Sequence, residues 1–406
     1  MTSYDIAASK RSLKFQAARL ARRLPGLGLV ASACALGGCA SVAASGSPGS
    51  SRLEVAGPVV QAHTLPEDRL LAGPVLLDHR AVWVEAGRRR LLVRSLDAHG
   101  RTRTLFSTSK MPGAPKGALR PFFVDSIAAG DGQVAFIESV IPCTSAPPPH
   151  TGRCTSSAES QPTDSVTLFA GRPGAIRPVE SLLHPSRHCQ PPEPGAVAIT
   201  GAGLVDYEVS AYPCGRGISR LVLRSFSGRL LRVLADGLPV VTRFVAAGDW
   251  VALFKSAQVV GEHDEVRIIR VKTGQVALRL HALQAFALGS SGKFALMTEP
   301  RRGPCPRLAA SEVLSVGQIG RPGMHVLTRE ALEGPTTTAL ALAGGQVAYA
   351  QPTGSCAASS QVVVETPGAP PTPILGLKPG TPLVFDGSIL ATAHDDAVEL
   401  ATLRRR

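Results

Sequence analysis

The sequence predicts an all-β chain of seven four-stranded antiparallel units closed into a ring. Three observations predict it. A tight turn followed by a short apolar run recurs at intervals of 42 to 71 residues. A second turn, with Gly in its second position, recurs within most of the same units. No segment carries a sustained 3.6-residue apolar period with caps; the best helix candidate, Phe15 to Arg23, lies in the leader.

The stretch from Val241 to Leu280 shows the unit most clearly. It reads VTRFVAAG, DWVALFKS, a polar loop, EVRIIRVKTG and QVALRL. Those are four apolar runs, with turns at Gly248-Asp249 and Thr273-Gly274. The first-turn marker recurs at Gly132, Gly203, Gly248, Gly292, Gly345 and Gly387, and without Gly at Asp78-His79-Arg80. Glycine suits such turns because it takes positive φ without a Cβ clash. The second marker reads His99-Gly100, Pro173-Gly174, Ser227-Gly228, Thr273-Gly274 and Pro367-Gly368, and is blurred near Gly320 or Gly323 in the fifth unit. The runs between markers, such as LLVRSLD, RLVLRSF and QVVVET, are rich in β-branched residues, which suits strands.

The seventh unit has only three runs: Leu383–Asp386, Ile389–Ala393 and Ala397–Leu403. An early run near Arg52–Ala62 precedes the first complete unit and is expected to supply the missing outer strand. Closure of that kind covers an edge that otherwise invites aggregation. Two stacked sandwiches are the alternative, but they do not predict seven copies of one turn.

Seven such units resemble a seven-bladed β-propeller over residues 52–406. Leu288-Gly289-Ser290-Ser291-Gly292-Lys293-Phe294-Ala295 is similar to the repeat turn of TolB-like and WD40-like blades. The Trp-Asp signature of WD40, the Asp-box of sialidases and the Trp-docking motifs of quinoprotein propellers are absent; Trp83 and Trp250 are the only tryptophans. The resemblance therefore implies a fold and transfers no site.

Residues 1–38 read as a signal peptide. Lys10, Arg11, Lys14, Arg19, Arg22 and Arg23 precede the apolar run LPGLGLVASACALGG, which is too short to span a bilayer comfortably. Leu36-Gly37-Gly38-Cys39 resembles a bacterial lipobox, and the resemblance implies lipidation of Cys39. Cleavage near Ala40–Ala44 with plain secretion is the alternative. Arg22-Arg23 fits a twin-arginine signal poorly, because Leu24-Pro25-Gly26 follows. Residues 39–51, almost all Ala, Ser, Gly and Pro after Cys39, read as a flexible tether.

Six cysteines lie beyond the leader: Cys143, Cys154, Cys189, Cys214, Cys305 and Cys356. An even number in an exported chain reads as disulfides, and six allow 15 connectivities. In a propeller the loops that carry them emerge on one face, and neighbouring positions imply pairs 143–154, 189–214 and 305–356. Zinc on these cysteines with His188 lacks any Cys-x-x-Cys pair, so no metal or other cofactor is expected. The Cys-bearing loops, Pro142–Pro162 and Leu182–Pro194 above all, are long and rich in Pro and Ser, and form the candidate binding face.

Candidate chemistry is sparse. Glu262-His263-Asp264-Glu265 and His394-Asp395-Asp396 fall in loops and read as turn formers and solvated charge. Asp125, Asp206 and Glu208 lie in or beside inner strands, and Asp206 is the candidate to face a central channel. No Gly-x-Ser-x-Gly elbow or phosphate-binding loop occurs. The net charge of +13 is scattered and aromatics are only 4%, which excludes a nucleic-acid surface with stacking platforms. The expected function is a non-enzymatic binding or scaffold module, anchored outside the cytoplasm through a lipid alone. Its expected partner is a protein or envelope glycan on the loop-rich face. A carbohydrate-active hydrolase or lyase using channel carboxylates is the alternative.

Overall fold

The computed structural model describes residues 53–64, 69–86, 91–108, 122–140, 163–185, 193–209, 218–239, 243–255, 265–281, 283–301, 311–328, 340–352, 360–380, 382–394 and 397–405. Every described element is a β-strand. Two short strands come first, β1 (Leu53–Val55) and β2 (Val60–His63). Blade 1 is β3 (Arg69–Leu77), β4 (Arg80–Ala86), β5 (Leu91–Leu96) and β6 (Thr102–Ser107). Blade 2 is β7 (Phe122–Gly130), β8 (Gln133–Val140), β9 (Thr163–Gly171) and β10 (Arg177–Pro185). Blade 3 is β11 (Glu193–Thr200), β12 (Gly203–Val209), β13 (Ile218–Arg224) and β14 (Leu230–Pro239). Blade 4 is β15 (Arg243–Ala247), β16 (Trp250–Lys255), β17 (Glu265–Arg270) and β18 (Val276–His281). Blade 5 is β19 (Leu283–Leu288), β20 (Lys293–Arg301), β21 (Ser311–Gln318) and β22 (Met324–Thr328). Blade 6 is β23 (Leu340–Ala343), β24 (Gln346–Pro352), β25 (Ser360–Glu365) and β26 (Thr372–Pro373). Blade 7 is β27 (Leu383–Phe385), β28 (Ile389–His394) and β29 (Ala397–Arg405).

Each blade is an antiparallel meander in chain order. The first strand of each blade touches the first strand of the next, from β3 through β27 and back to β3. That closed circuit makes the chain a seven-bladed β-propeller and its first strands the inner ones. All seven turn markers join a first strand to a second. The blurred turn of the fifth blade is Gly320 to Gly323, with both glycines at positive φ.

Blade 7 gains its outer strand from the other end of the chain. Leu53 pairs with Arg405 and Val55 with Leu403; after a break at Gly57-Pro58, Val60 pairs with Leu400 and His63 with Ala397. The early run thus closes the ring as its sequence position implies, in two pieces along one edge of β29.

The core is distributed. Successive side chains of a strand point to opposite faces, so each blade fills the gap on either side. Val82 and Val84 pack toward blade 2, while Ala81 and Trp83 pack toward blade 7. Seven apolar clusters result, one in each gap between neighbouring blades. The largest stack is Phe136 against Phe169, centroids 4.9 Å apart, with Phe106 of blade 1 tilted over both. Gly248 shows how tightly turns from adjacent blades meet. Its φ is +57°, and a Cβ there would lie 2.5 Å from the Ser290 carbonyl oxygen of blade 5.

Candidate functional site

The same alternation that builds the core also carries carboxylates into the gaps. Glu85 shares a face with Trp83, Glu138 with Phe136, Asp206 and Glu208 with Leu204, and Glu399 with Ala401. All five are at most 4% exposed. Glu85, Glu138 and Glu208 sit near the C-terminal ends of second strands, directly below the second-to-third-strand connections. Glu399 joins them, because it pairs with Thr392 near the end of β28. A belt of buried acid therefore underlies the face from which the long loops leave.

Each member of the belt has its own local solution. Glu85 accepts from Trp83 Nε1 at 3.1 Å and from Arg94 Nη1 at 3.0 Å. Glu399 accepts from the Lys378 backbone N–H, in the connection from blade 6 to blade 7, at 2.9 Å and contacts His394 Nε2 at 2.8 Å. Glu138 has an Oε1 with no hydrogen-bond partner. Burial pushes its carboxyl up to about 7, so it holds its proton over much of the acidic range.

Between blades 2 and 3 the belt becomes a cluster. Arg220 Nε and Arg224 Nη2 both donate to Glu208. Arg224 also lies 3.2 Å from Glu180 Oε2 of blade 2 and 3.4 Å from Asp206 Oδ2. Three carboxyls thus gather round Arg224, with Arg220 at the margin. Asp206 is fully buried and neither of its oxygens is hydrogen-bonded. Desolvation first, and then the neighbouring Glu208 charge, push it up to about 8. The cluster sets a carboxyl that favours its proton beside the ion pairs of Arg220 and Arg224 with Glu208 and of Arg224 with Glu180, an arrangement that joins two blades.

These placements correct the expectations for Asp206, His394 and Glu265. Asp206 does not face a central channel. It lies on β12, a second strand, and points into the gap between sheets with Val197 of β11 beside it. Asp125 does lie on an inner strand, at a register shift between Val124 and Ser126. His394 is not a solvated loop residue but the end of β28, largely buried against Glu399. Glu265 opens β17 and binds Arg267 and Arg279 at 2.8 and 3.1 Å, so it too is committed to an ion-pair network. Glu262, His263, Asp264, Asp395 and Asp396 lie outside the described residues, as do residues 1–38, Cys39 and Cys143, Cys154, Cys189, Cys214, Cys305 and Cys356. Among the described residues no group of His, Cys, Asp and Glu has the form of a metal site.

Sequence reasoning missed Glu85, Glu138, Glu180 and Arg224. A signal was present: VWVEAG, VAFIES and VDYEVS each put an acid late in an otherwise apolar second strand, and Arg220 and Arg224 share one face of β13.

The opposite face is made of tight turns. A cavity of about 440 Å³ opens where the first-to-second-strand turns of blades 2 to 5 converge. Asp131, Thr200, Asp249 and Ser290 line it. The Gly201 N–H donates to the Gly248 carbonyl at 3.3 Å and ties two of these turns together. Across the ring, His79 Nδ1 meets Asp386 Oδ2 at 2.8 Å, linking the turns of blades 1 and 7.

No protein-family model and no curated protein matches the chain. Solved structures match its fold. The propeller domain of the Trilobed protease from Pyrococcus furiosus superposes with a TM-score of 0.50 at 8% identity, covering 84% of this chain and 96% of that one. That domain has an open velcro topology. Pyrococcus horikoshii acylaminoacyl peptidase gives 0.48 at 9% identity over 83% of this chain, which spans only 52% of the peptidase. TolB from Acinetobacter baumannii gives 0.39 at 11% identity over 82% of this chain and 65% of TolB.

Proposed function

We propose that this protein is a binding or scaffold module of the cell envelope, held at the membrane by a lipid on Cys39. The observation that carries the reading is the topology of the cysteine-bearing connections. Cys143 and Cys154 fall between β8 and β9, Cys214 between β12 and β13, Cys305 between β20 and β21, and Cys356 between β24 and β25. Cys189 falls between β10 and β11. In an antiparallel meander the end of a second strand, the start of a third and the start of a first all lie at the same end of the blade. All six cysteines thus belong to connections rooted on one face of the ring.

That face is where a partner is expected to dock, with the three disulfides restricting its loops. The belt beneath supports binding over hydrolysis. Asp206, the carboxyl on which a hydrolytic site was expected to turn, is enclosed between sheets, and Glu208 is neutralised by two arginines. The basic leader, lipobox-like sequence and tether supply the address.

The test combines address and face. Cells expressing the full chain are fractionated, and the membrane-bound protein is weighed with and without reduction. A mass beginning at Cys39 with a diacylglyceryl group, rising by six hydrogens on reduction, is expected. Photo-crosslinking residues placed in the connections after β8, β12 and β24 should give one discrete adduct, and the same residues on β14 or β18 none. An unprocessed chain with free thiols, or adducts only from the outer strands, defeats the proposal.

A further inference from the structure

A second cavity, of about 470 Å³, lies between blades 5 and 6 on the turn side of the ring, opposite the loop face. Its walls come from the end of β21, the Gly320–Gly323 turn, the start of β22, β23 and the first turn of blade 6. Its size is that of a small-molecule site, for which roughly 300–1,000 Å³ is usual.

The wall has two chemical halves. One is apolar: Val316 and Leu342 belong to the cluster between blades 5 and 6, and Met324 stands 54% exposed at the edge. The other half carries Lys293, Arg321, His325 and Gln318, and among the described residues no carboxylate lines the cavity. Among the described residues Lys293 Nζ reaches only the Gly344 carbonyl, at a long 3.4 Å. Gly345 lets that ammonium lie across the turn, because a Cβ there would stand 2.7 Å from Nζ. Gln318 donates to the Ser291 carbonyl at 3.0 Å and fixes the wall between the two cations. The nearby acid, Glu365, is buried and accepts from Tyr349 at 2.9 Å, turned into the gap between the blades.

Some arginines elsewhere are spent on acids: Arg94 on Glu85, Arg220 and Arg224 on Glu208, Arg267 and Arg279 on Glu265. Among the described residues Lys293 and Arg321 have no carboxylate partner. Two cations without a counter-charge, beside an apolar floor, are complementary to a negative head carried on an apolar body.

We propose that the cavity between blades 5 and 6 binds a small amphipathic anion, its head between Lys293 and Arg321 and its body on Met324, Val316 and Leu342. The head is a carboxylate, sulfonate or phosphate, and the body is about the size of one or two rings or a short alkyl chain. This site lies on the face away from the proposed partner surface and stands or falls separately from it.

The test is calorimetric titration of the full chain with three probes. Naphthalene-1-sulfonate carries head and body, 1-naphthol has the body without the charge, and inorganic sulfate is the head alone. Naphthalene-1-sulfonate should bind once per chain, at least about tenfold more tightly than either comparator, a margin of one decade in Kd. Arg321→Glu and Lys293→Met should each weaken it about tenfold or more. Arg321 is exposed on a turn, so its variant should keep the wild-type unfolding temperature and decides the matter even if Lys293→Met folds poorly. Equal binding of 1-naphthol would remove the charge from the argument. Equal binding of sulfate would remove the apolar wall. Undiminished binding in Arg321→Glu, or no binding of naphthalene-1-sulfonate at all, would overturn the proposal.

Discussion

Arg224 of blade 3 lies 3.2 Å from Glu180 of blade 2, and the same guanidinium holds Glu208 of its own blade. One cation thus serves acids on both sides of a gap between two blades. Removing it leaves Glu208 short of one partner and Glu180 without its cation. Arg224→Met is expected to cost roughly 3–5 kcal/mol, the usual loss when one member of a buried ion pair is deleted. Urea unfolding reads it. Glu180→Gln, at a partly exposed position, should cost far less.

Asp206 and Glu138 should make the protein lose stability as pH rises. Their folded values, about 8 and about 7, lie above the ordinary 3.8 and 4.5. Between the two values the folded protein keeps a proton that the unfolded chain has released. Stability is therefore fully present below the lower value and falls until the upper one is passed. Each group contributes a slope of up to about 1.4 kcal/mol per pH unit. Urea midpoints taken from pH 5 to 8 should fall, and Glu138→Gln should flatten the part below pH 7. A wild-type profile that rises over this range contradicts the assignment.

Gly248→Ala should be destabilising out of proportion to one methyl group. The residue has φ +57°, and the new Cβ would meet the Ser290 carbonyl at 2.5 Å. Backbone strain of about 1–3 kcal/mol is expected before the clash is counted. A drop in unfolding temperature measures it. Gly132→Ala, at positive φ but with open space around it, should lose less.

Closure of the ring can be tested through Leu53, which is 4% exposed and packs in the cluster between blades 6 and 7. Leu53→Asp should detach β1 and bare part of the edge of β29. An uncovered edge recruits another strand. Concentration-dependent dimers in light scattering are expected for the variant and not for the wild type.

The fold was legible because its punctuation is local. A turn needing positive φ announces itself as Gly203, Gly292 or Gly387 whatever lies around it, and β-branched runs such as QVVVET announce the strands. The closing strand was legible from bookkeeping alone: three runs at one end, one spare at the other. The electrostatics were not legible in the same way. Asp206 and Glu180 stand 26 positions apart on different blades, and nothing local says that they share Arg224. Alternation does say that Asp206 and Glu208 point one way. Choosing the gap over the channel needed the strand after the Gly203 turn to be read as flanked by sheets on both faces. His394 misled for a related reason: a loop-like string, His-Asp-Asp, begins one residue inside β28, and Glu399 across the hairpin turns its ring inward.

Glu54 and Arg404 face each other across the closing strands although 350 residues separate them. A ribosome adding about 5–20 residues per second takes roughly 20 to 70 seconds to make that span. For all of that time the first strands to emerge have no mate. The ring is therefore an open arc throughout elongation, and its first segment is the last to find its place. Anything that grips that segment meanwhile sets the moment at which the circle is completed.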